Sequence, residues 1–257
     1  MINRVILFFG FMAIMLSAMA IDPKNQINEA REYYSKGDYQ KAIDTYQAVL
    51  NAGYVSVELY YNLGNSYFKI HNIKAAILNF EKAKLLDPSD NDIEYNLEMA
   101  RSFTVDKIES MNEVFFVTWI KWIRDLMPAS NWAWLSLITF FITLATFLLY
   151  LISGKLGLRK LGFILGLVFL VFSVVTFSMG YQLRKIQTAN NTAIIFTPTV
   201  TVRSTPAESG NSLFVLHEGA KVEILTEMSD ISKVDWCEVR IADGNKGWIK
   251  KLDLEKI

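Results

Sequence analysis

Two long apolar runs interrupt an otherwise mixed chain of 257 residues. No charged residue occurs in residues 132–152 or in residues 161–181. A helix of about 20 residues, rising about 1.5 Å per residue, spans a hydrocarbon core of about 30 Å. A buried hairpin of a soluble protein is the less favoured alternative, because core helices usually keep a polar stripe. The pattern therefore predicts two transmembrane helices.

The N-terminus shows the arrangement of a secretory signal peptide. Arg4 precedes the apolar stretch VILFFGFMAIML, and a small-x-small site follows at residues 18–20. This order predicts a signal peptide over residues 1–20, with an uncleaved anchor helix as the alternative. Either segment exports the domain behind it, and two further crossings return the C-terminal part to the same face. We expect a bacterial inner-membrane protein with both soluble domains on the periplasmic side. The connection between the apolar runs carries three basic residues and no acid, as cytoplasmic loops do.

Two further features concern the membrane. Residues 113–127 place aromatic and aliphatic side chains at helical spacing, with Lys121 and Arg124 between them. We expect an amphipathic helix lying at the lipid headgroups, where tryptophan is favoured. Gly162 and Gly166 form a G-x-x-x-G pair that permits a close helix approach. Packing of the hairpin on itself is the preferred interpretation, and a partner membrane helix is the alternative.

The region before the apolar runs repeats with a period of 34 residues. The triplet Tyr-Asn-Leu occurs at residues 61–63 and again at residues 95–97. The small and large apolar positions of the complete copy are Tyr60, Leu63, Gly64, Tyr67, Ala76, Phe80, Ala83 and Pro88. This pattern resembles the tetratricopeptide repeat over residues 24–104, as two full repeats and a capping helix. Ser89 or Asp90 is expected to cap the last of these helices.

The resemblance implies that the first helix of each repeat lines a concave groove. Asn28, Asn62 and Asn96 occupy the same place in successive first helices. A carboxamide both donates and accepts hydrogen bonds, so this ladder could bind the backbone of an extended peptide. The alternative is that the asparagines bond between helices or face solvent. The other predicted groove residues are Arg31, Tyr34, Tyr61, Asn65, Phe68 and Tyr95.

The C-terminal region changes to an alternation of apolar and polar residues that indicates short strands. The motifs V-x-V-R-S-x-P at residues 200–206 and G-W-I at residues 247–249 resemble bacterial SH3-type domains, over residues 193–257. Such domains bind peptides or cell-wall peptide stems. Trp236 and Trp248 are therefore candidates for a ligand patch, and packing in the core or at the rim of the barrel is the preferred alternative.

Composition and motifs limit the kinds of ligand and reaction that we expect of this chain. With 26 basic and 26 acidic residues, the chain has no basic field that would attract nucleic acid. The single cysteine, Cys237, cannot form an internal disulfide, and its alternation with Val239 and Ile241 predicts a buried, inert thiol. The two histidines and the carboxylates show no metal-binding spacing, and no catalytic or nucleotide-binding motif occurs. We predict neither an enzyme nor a bound metal or cofactor.

These observations predict a multi-domain protein with an all-α tetratricopeptide-repeat domain, a two-helix transmembrane hairpin and a small all-β SH3-like barrel. That domain order resembles the E-type member of the Bat aerotolerance proteins. The resemblance implies a membrane complex with Bat proteins that carry von Willebrand A domains, and a link to oxygen tolerance or envelope stress. We expect a scaffold that is anchored in the lipid bilayer and grips partner proteins through the repeat groove. The alternative is a module that binds peptidoglycan through the SH3-type barrel.

Overall fold

The computed structural model describes residues 23–108, 111, 114–229 and 235–257. The expected signal peptide, residues 1–20, lies outside the described residues. The described part of the chain forms helices first and strands afterwards. The fold class predicted from the sequence is confirmed: helical repeats and two long apolar helices precede an antiparallel sheet.

In the described part of the chain, five helices form the repeat domain, and three more lead to and through the apolar region. The repeat helices are α1 (Pro23–Ser35), α2 (Tyr39–Asn51), α3 (Val57–Lys69), α4 (Ile73–Leu86) and α5 (Asn91–Ser102). The others are α6 (Phe115–Arg124), α7 (Ala129–Ile152) and α8 (Leu156–Ala189).

The repeat helices pack in pairs because small residues stand at their crossings. A Cβ atom on Gly64 of α3 would lie 2.7 Å from the ring of Phe80 in α4, whose side chain is fully buried. Polar side chains cap α3, α4 and α5, since the first backbone N–H groups have no partner within the helix. The Asp90 carboxylate accepts from the N–H groups of Asp92 and Ile93, which confirms the predicted cap of α5.

The apolar helices α7 and α8 pack along each other as a hairpin. A Cβ atom on Gly162 would lie 2.8 Å from the carbonyl oxygen of Thr146, so the G-x-x-x-G pair serves the hairpin itself, as preferred from the sequence. Ser173 Oγ donates to the carbonyl oxygen of Ser136 at 3.0 Å inside this contact. Both helices are long and apolar enough to cross a membrane, with mean hydropathies of 2.3 and 2.5 over an 18-residue stretch of each. They are consistent with a membrane anchor.

Helix α6 leaves its apolar side chains uncovered. None of its residues is buried, and Trp119 is 71% exposed. The indole Nε1 of Trp132 in α7 donates to the carbonyl oxygen of Arg124 at 2.9 Å, which holds the end of α6 beside the hairpin. A helix is thus present within the expected range 113–127, over Phe115–Arg124, and its position at the lipid headgroups stays a prediction.

The C-terminal domain is one antiparallel sheet with strand order β3-β2-β6-β5-β4-β1-β7. The strands are β1 (Thr192–Ile195), β2 (Thr199–Arg203), β3 (Ser212–His217), β4 (Lys221–Ser229), β5 (Asp235–Arg240), β6 (Lys246–Lys250) and β7 (Leu254–Lys256). A 3-10 turn, Lys251–Asp253, joins the last two strands. Cys237 lies in the core of this domain with no exposed surface, as predicted.

The SH3-type domain packs directly on the second helix of the complete repeat. Ile194 and Ile257 join the apolar core that α4 and α5 build. Beside that core, Lys74 Nζ donates to the carbonyl oxygen of Phe196 at 2.9 Å and to Glu218 at 2.7 Å. Among the repeat helices, α4 carries the contact with strand β1.

Candidate functional site: the repeat groove

The first helices of the repeats stand side by side, since α3 contacts both α1 and α5. Two cavities open along them. We name them the central cavity, of about 280 Å³, and the N-terminal cavity, of about 400 Å³.

The central cavity combines aromatic walls with polar side chains. It is lined by Tyr34, Tyr61, Asn65, Phe68, Lys69, Phe80, Asn96 and Met99. Asn96 Nδ2 donates to the Tyr61 hydroxyl oxygen and to Asn65 Oδ1, both at 2.9 Å. Burial raises the pKa of the Tyr34 phenol, and the neighbouring Tyr39 and Tyr61 raise it further. The phenol therefore stays protonated at neutral pH.

The hydrogen bonds of Asn96 leave two donors of the cavity lining without a partner among the described residues. Tyr61 and Asn65 accept from Asn96 through their oxygens, and among the described residues neither the Tyr61 hydroxyl proton nor Asn65 Nδ2 has another partner. Lys69 adds a cation at the same cavity. Groups of this kind bind acceptors such as carbonyl and carboxylate oxygens.

The N-terminal cavity lies between α1 and the start of α3. Pro23, Lys24, Ile27, Asn28, Arg31, Tyr54 and Glu58 line it. Arg31 forms an ion pair with Glu58, and its Nη1 also donates to Asn28 Oδ1 at 3.4 Å. At the N-terminal cavity, the Arg31 cation and the Glu58 carboxylate thus neutralise each other.

Seven of the nine predicted groove residues are thus divided between two cavities. Five of them line the central cavity and two line the N-terminal cavity, while Asn62 and Tyr95 line neither. The three-membered asparagine ladder stays a prediction. The two asparagines that share a hydrogen bond are Asn65 and Asn96, which stand at different places in their repeats.

Sequence reasoning missed several lining residues, among them Lys69, Met99 and Glu58. Lys69 follows the predicted residue Asn65 by four positions and Met99 follows Asn96 by three, and both spacings place side chains on one helix face. The i, i+3 and i, i+4 relations were therefore the signal that could have found them. Glu58 carried no such signal, because its role comes from Arg31 of another helix.

Of the two tryptophans predicted as a ligand patch of the SH3-type domain, one is accessible at its surface. Trp236 is only 4% exposed, which favours the packing alternative. Trp248 is partly exposed and stands opposite Arg203 of the neighbouring strand. Glu208 forms ion pairs with Arg203, at 3.5 Å, and with Lys250. This surface is the remaining candidate ligand patch of the domain.

Comparison with known families agrees with this architecture. Residues 57–90 match the tetratricopeptide-repeat family, residues 30–70 match a second family described as TPR repeat, and residues 198–255 match the bacterial SH3 domain. The chain contains tetratricopeptide repeats and a bacterial SH3 domain. Both are typically non-catalytic interaction modules. None of the curated proteins compared with the chain is significantly similar to it.

The arrangement supports recognition of protein surfaces. Within the described ranges, no group of three or more histidine, cysteine, aspartate or glutamate side chains could hold a metal ion. The tetratricopeptide repeats suggest protein partners, and the bacterial SH3 domain suggests cell-wall binding in an extracellular or periplasmic setting.

Proposed function

We propose that this protein is a membrane-anchored scaffold whose central cavity binds an extended segment of a partner protein. The supporting observation is the group of three donors at that cavity, from Tyr61, Asn65 and Lys69, beside the apolar walls of Phe68 and Met99. The donors would bind carbonyl oxygens of the partner backbone, and the walls would hold one of its apolar side chains. Such binding tolerates many sequences, because backbone carbonyls are common to all of them.

The scaffold would act at the outer face of a bacterial inner membrane, with the repeats and the SH3-type domain on the periplasmic side. The expected signal peptide and the two apolar helices support this placement. The domain order resembles the E-type Bat proteins, so the partners we would look for first are membrane proteins with von Willebrand A domains. A role in oxygen tolerance or envelope stress belongs to the same proposal.

Crosslinking in cells tests the groove. The full-length chain would be compared with Asn65→Ala combined with Tyr61→Phe, and with the triple variant Asn28→Ala, Asn62→Ala, Asn96→Ala. Captured proteins would be identified by mass spectrometry. We expect the double variant to lose the membrane partners, because it removes two of the three donors and keeps the aromatic walls.

Asn51→Ala is the matched control, since Asn51 is exposed and lines neither cavity. It should capture the same partners as the native chain. All variants would be checked for equal abundance and equal helix content. If the double variant is folded and captures the native set of partners, the groove is not the binding surface.

The second candidate function is binding of peptidoglycan by the SH3-type domain, which the family match and the accessible Trp248 favour. Retention of the full-length protein on purified cell-wall sacculi would test it. Trp248→Ala should abolish retention, while Trp134→Ala, an exposed tryptophan of α7, should not. Equal retention of both variants would refute a role for Trp248.

A further inference from the structure

A third cavity, of about 510 Å³, lies where the apolar hairpin meets the repeat domain. We name it the junction cavity. Its lining comes from the end of α4, the start of α7 and the last turns of α8. The lining residues are Leu86, Pro128, Ala129, Ser130, Ala133, Phe177, Gly180, Tyr181, Arg184 and Gln187. The apolar helices α7 and α8 therefore supply part of this lining, and α4 of the repeat domain supplies Leu86.

The position of the junction cavity relative to the bilayer follows from the sequence of α8. The uncharged run ends at Tyr181, and Arg184 stands one turn later on the same helix. A position just beyond the end of an apolar run corresponds to the headgroup region of a bilayer. The cavity thus has an apolar half at the depth of acyl chains and a cationic end at the depth of phosphates.

Arg184 is the only charged side chain among the described residues that line the junction cavity. No carboxylate of the described residues forms an ion pair with it. Its Nη1 approaches Gln187 Oε1 at 3.5 Å, and Gln187 Nε2 donates to the carbonyl oxygen of Leu85 at 2.9 Å. The guanidinium is thereby held near the end of α4, and most of its donors stay available. A guanidinium fork suits phosphate oxygens.

The wall of the apolar half consists of small and aromatic residues. Gly180 lets α8 come close to α7 at this wall, since a Cβ atom there would lie 3.1 Å from Trp132 Cβ. Phe177 and Tyr181 form a stacked pair, with ring centroids 6.4 Å apart, that flanks the opening. Ala133 completes this wall with a small side chain.

We propose that the junction cavity binds one phospholipid, with its phosphate on Arg184 and part of an acyl chain against Ala133, Gly180 and Phe177. The lipid would occupy the space between the membrane hairpin and α4, so it would fix the repeat domain at a set height above the bilayer. This proposal rests on the membrane anchorage proposed above.

Binding of a defined lipid to the purified full-length protein tests the site. Native mass spectrometry in detergent would follow a titration with dioleoyl phosphatidylglycerol. The native chain should retain one lipid, and Arg184→Gln should weaken its binding about tenfold, as expected for loss of a charge-assisted contact. Ala133→Leu should weaken it as well, because the added carbons fill the apolar half.

Two matched controls separate a built site from general attraction. Lys185→Gln removes the adjacent exposed charge, which does not line the cavity, and Ala145→Leu enlarges an exposed residue elsewhere on α7. Both should bind the lipid within twofold of the native chain. Equal loss in Arg184→Gln and Lys185→Gln would show only surface charge attraction and would overturn the proposal. Displacement of the lipid by an equal concentration of inorganic phosphate would also overturn it.

Carbonate extraction of membranes keeps this test distinct from that of the anchorage. If the native chain is released from membranes at alkaline pH, the anchorage itself fails. If it stays in the membrane while Arg184→Gln binds the lipid as well as the native chain does, only the junction site is refuted.

Discussion

Glu81 of α4 lies against Lys221 of the SH3-type domain, with 2.6 Å between Glu81 Oε2 and Lys221 Nζ. The other carboxylate oxygen pairs with Arg101 of α5, and the Glu81 side chain is 3% exposed. Burial alone would raise the pKa of this carboxyl, but the cations of Lys221 and Arg101 outweigh it and hold the pKa below 4.5. The buried carboxylate of Glu81 thus joins α4 and α5 to the C-terminal domain.

This ion pair should make the packing of the two domains sensitive to acid. The pKa of Glu81 is lower in the folded protein than its unfolded value of 4.5, so its stabilisation is complete above pH 4.5 and is lost as the pH falls below it. Glu81→Gln should lower the free energy of unfolding at pH 7 by about 2 kcal/mol, because two cations lose their charged partner. It should also flatten the dependence of that free energy on pH below 4.5.

Denaturant unfolding followed by tryptophan fluorescence at pH 7 and pH 4 would measure both effects. Glu32→Gln is the control, because the Glu32–Lys36 pair is exposed and such pairs contribute little. If Glu81→Gln and Glu32→Gln behave alike at both pH values, the buried pair does not stabilise the domain contact.

A second prediction concerns the crossing of α3 and α4. Gly64→Ala places a methyl group 2.7 Å from the ring of Phe80, so a buried side chain must move. We expect a loss of about 1–3 kcal/mol in the free energy of unfolding. Adding Phe80→Leu should make the cost of Gly64→Ala smaller, since the ring that it meets is gone. Gly154→Ala serves as control, because a Cβ there meets nothing within 4 Å. Additive effects of Gly64→Ala and Phe80→Leu would contradict the clash.

The sequence was most informative where a local period determines the structure. The 34-residue repeat, the uncharged runs and the strand alternation each depend on neighbours along the chain, and they predicted the helices, the hairpin and the buried Cys237. It was least informative about contacts between distant segments. Nothing in the patterns around Lys74 or Glu81 indicates that they bind residues more than 100 positions away. For the same reason, the sequence pointed to an in-step asparagine ladder, whereas the structure pairs Asn96 with Asn65.

The hairpin contact gives a third prediction. Gly162→Leu should separate α7 from α8, because a Cβ at that position would lie 2.8 Å and 2.9 Å from the backbone atoms of Thr146 and Tyr150. Gly157→Leu, on the same helix, meets open space and is the matched control. The thermal midpoint of the full-length protein in detergent should fall by several degrees for Gly162→Leu alone. A fall of equal size in both variants would argue against close packing at Gly162.

The fourth prediction concerns the orientation of the protein in the membrane, and it depends on the native thiol of Cys237 being unreactive. Its thiol has no exposed surface, and burial, followed by the nearby Glu227, raises its pKa above 9.0. Since the thiolate is the reactive form, the native chain should not react with a membrane-impermeant maleimide until it is unfolded. Cysteines introduced elsewhere can therefore be labelled selectively while Cys237 stays in place.

Three reporters at exposed positions then locate each part: Ser35→Cys in the repeat domain, Gly154→Cys between α7 and α8, and Asn245→Cys in the SH3-type domain. In intact spheroplasts the first and third should be labelled, because two crossings return the chain to the face on which it began. Gly154→Cys should be labelled only after the membrane is permeabilised. The opposite pattern would invert the proposed orientation, and labelling of all three in intact spheroplasts would show that the apolar helices do not span the membrane.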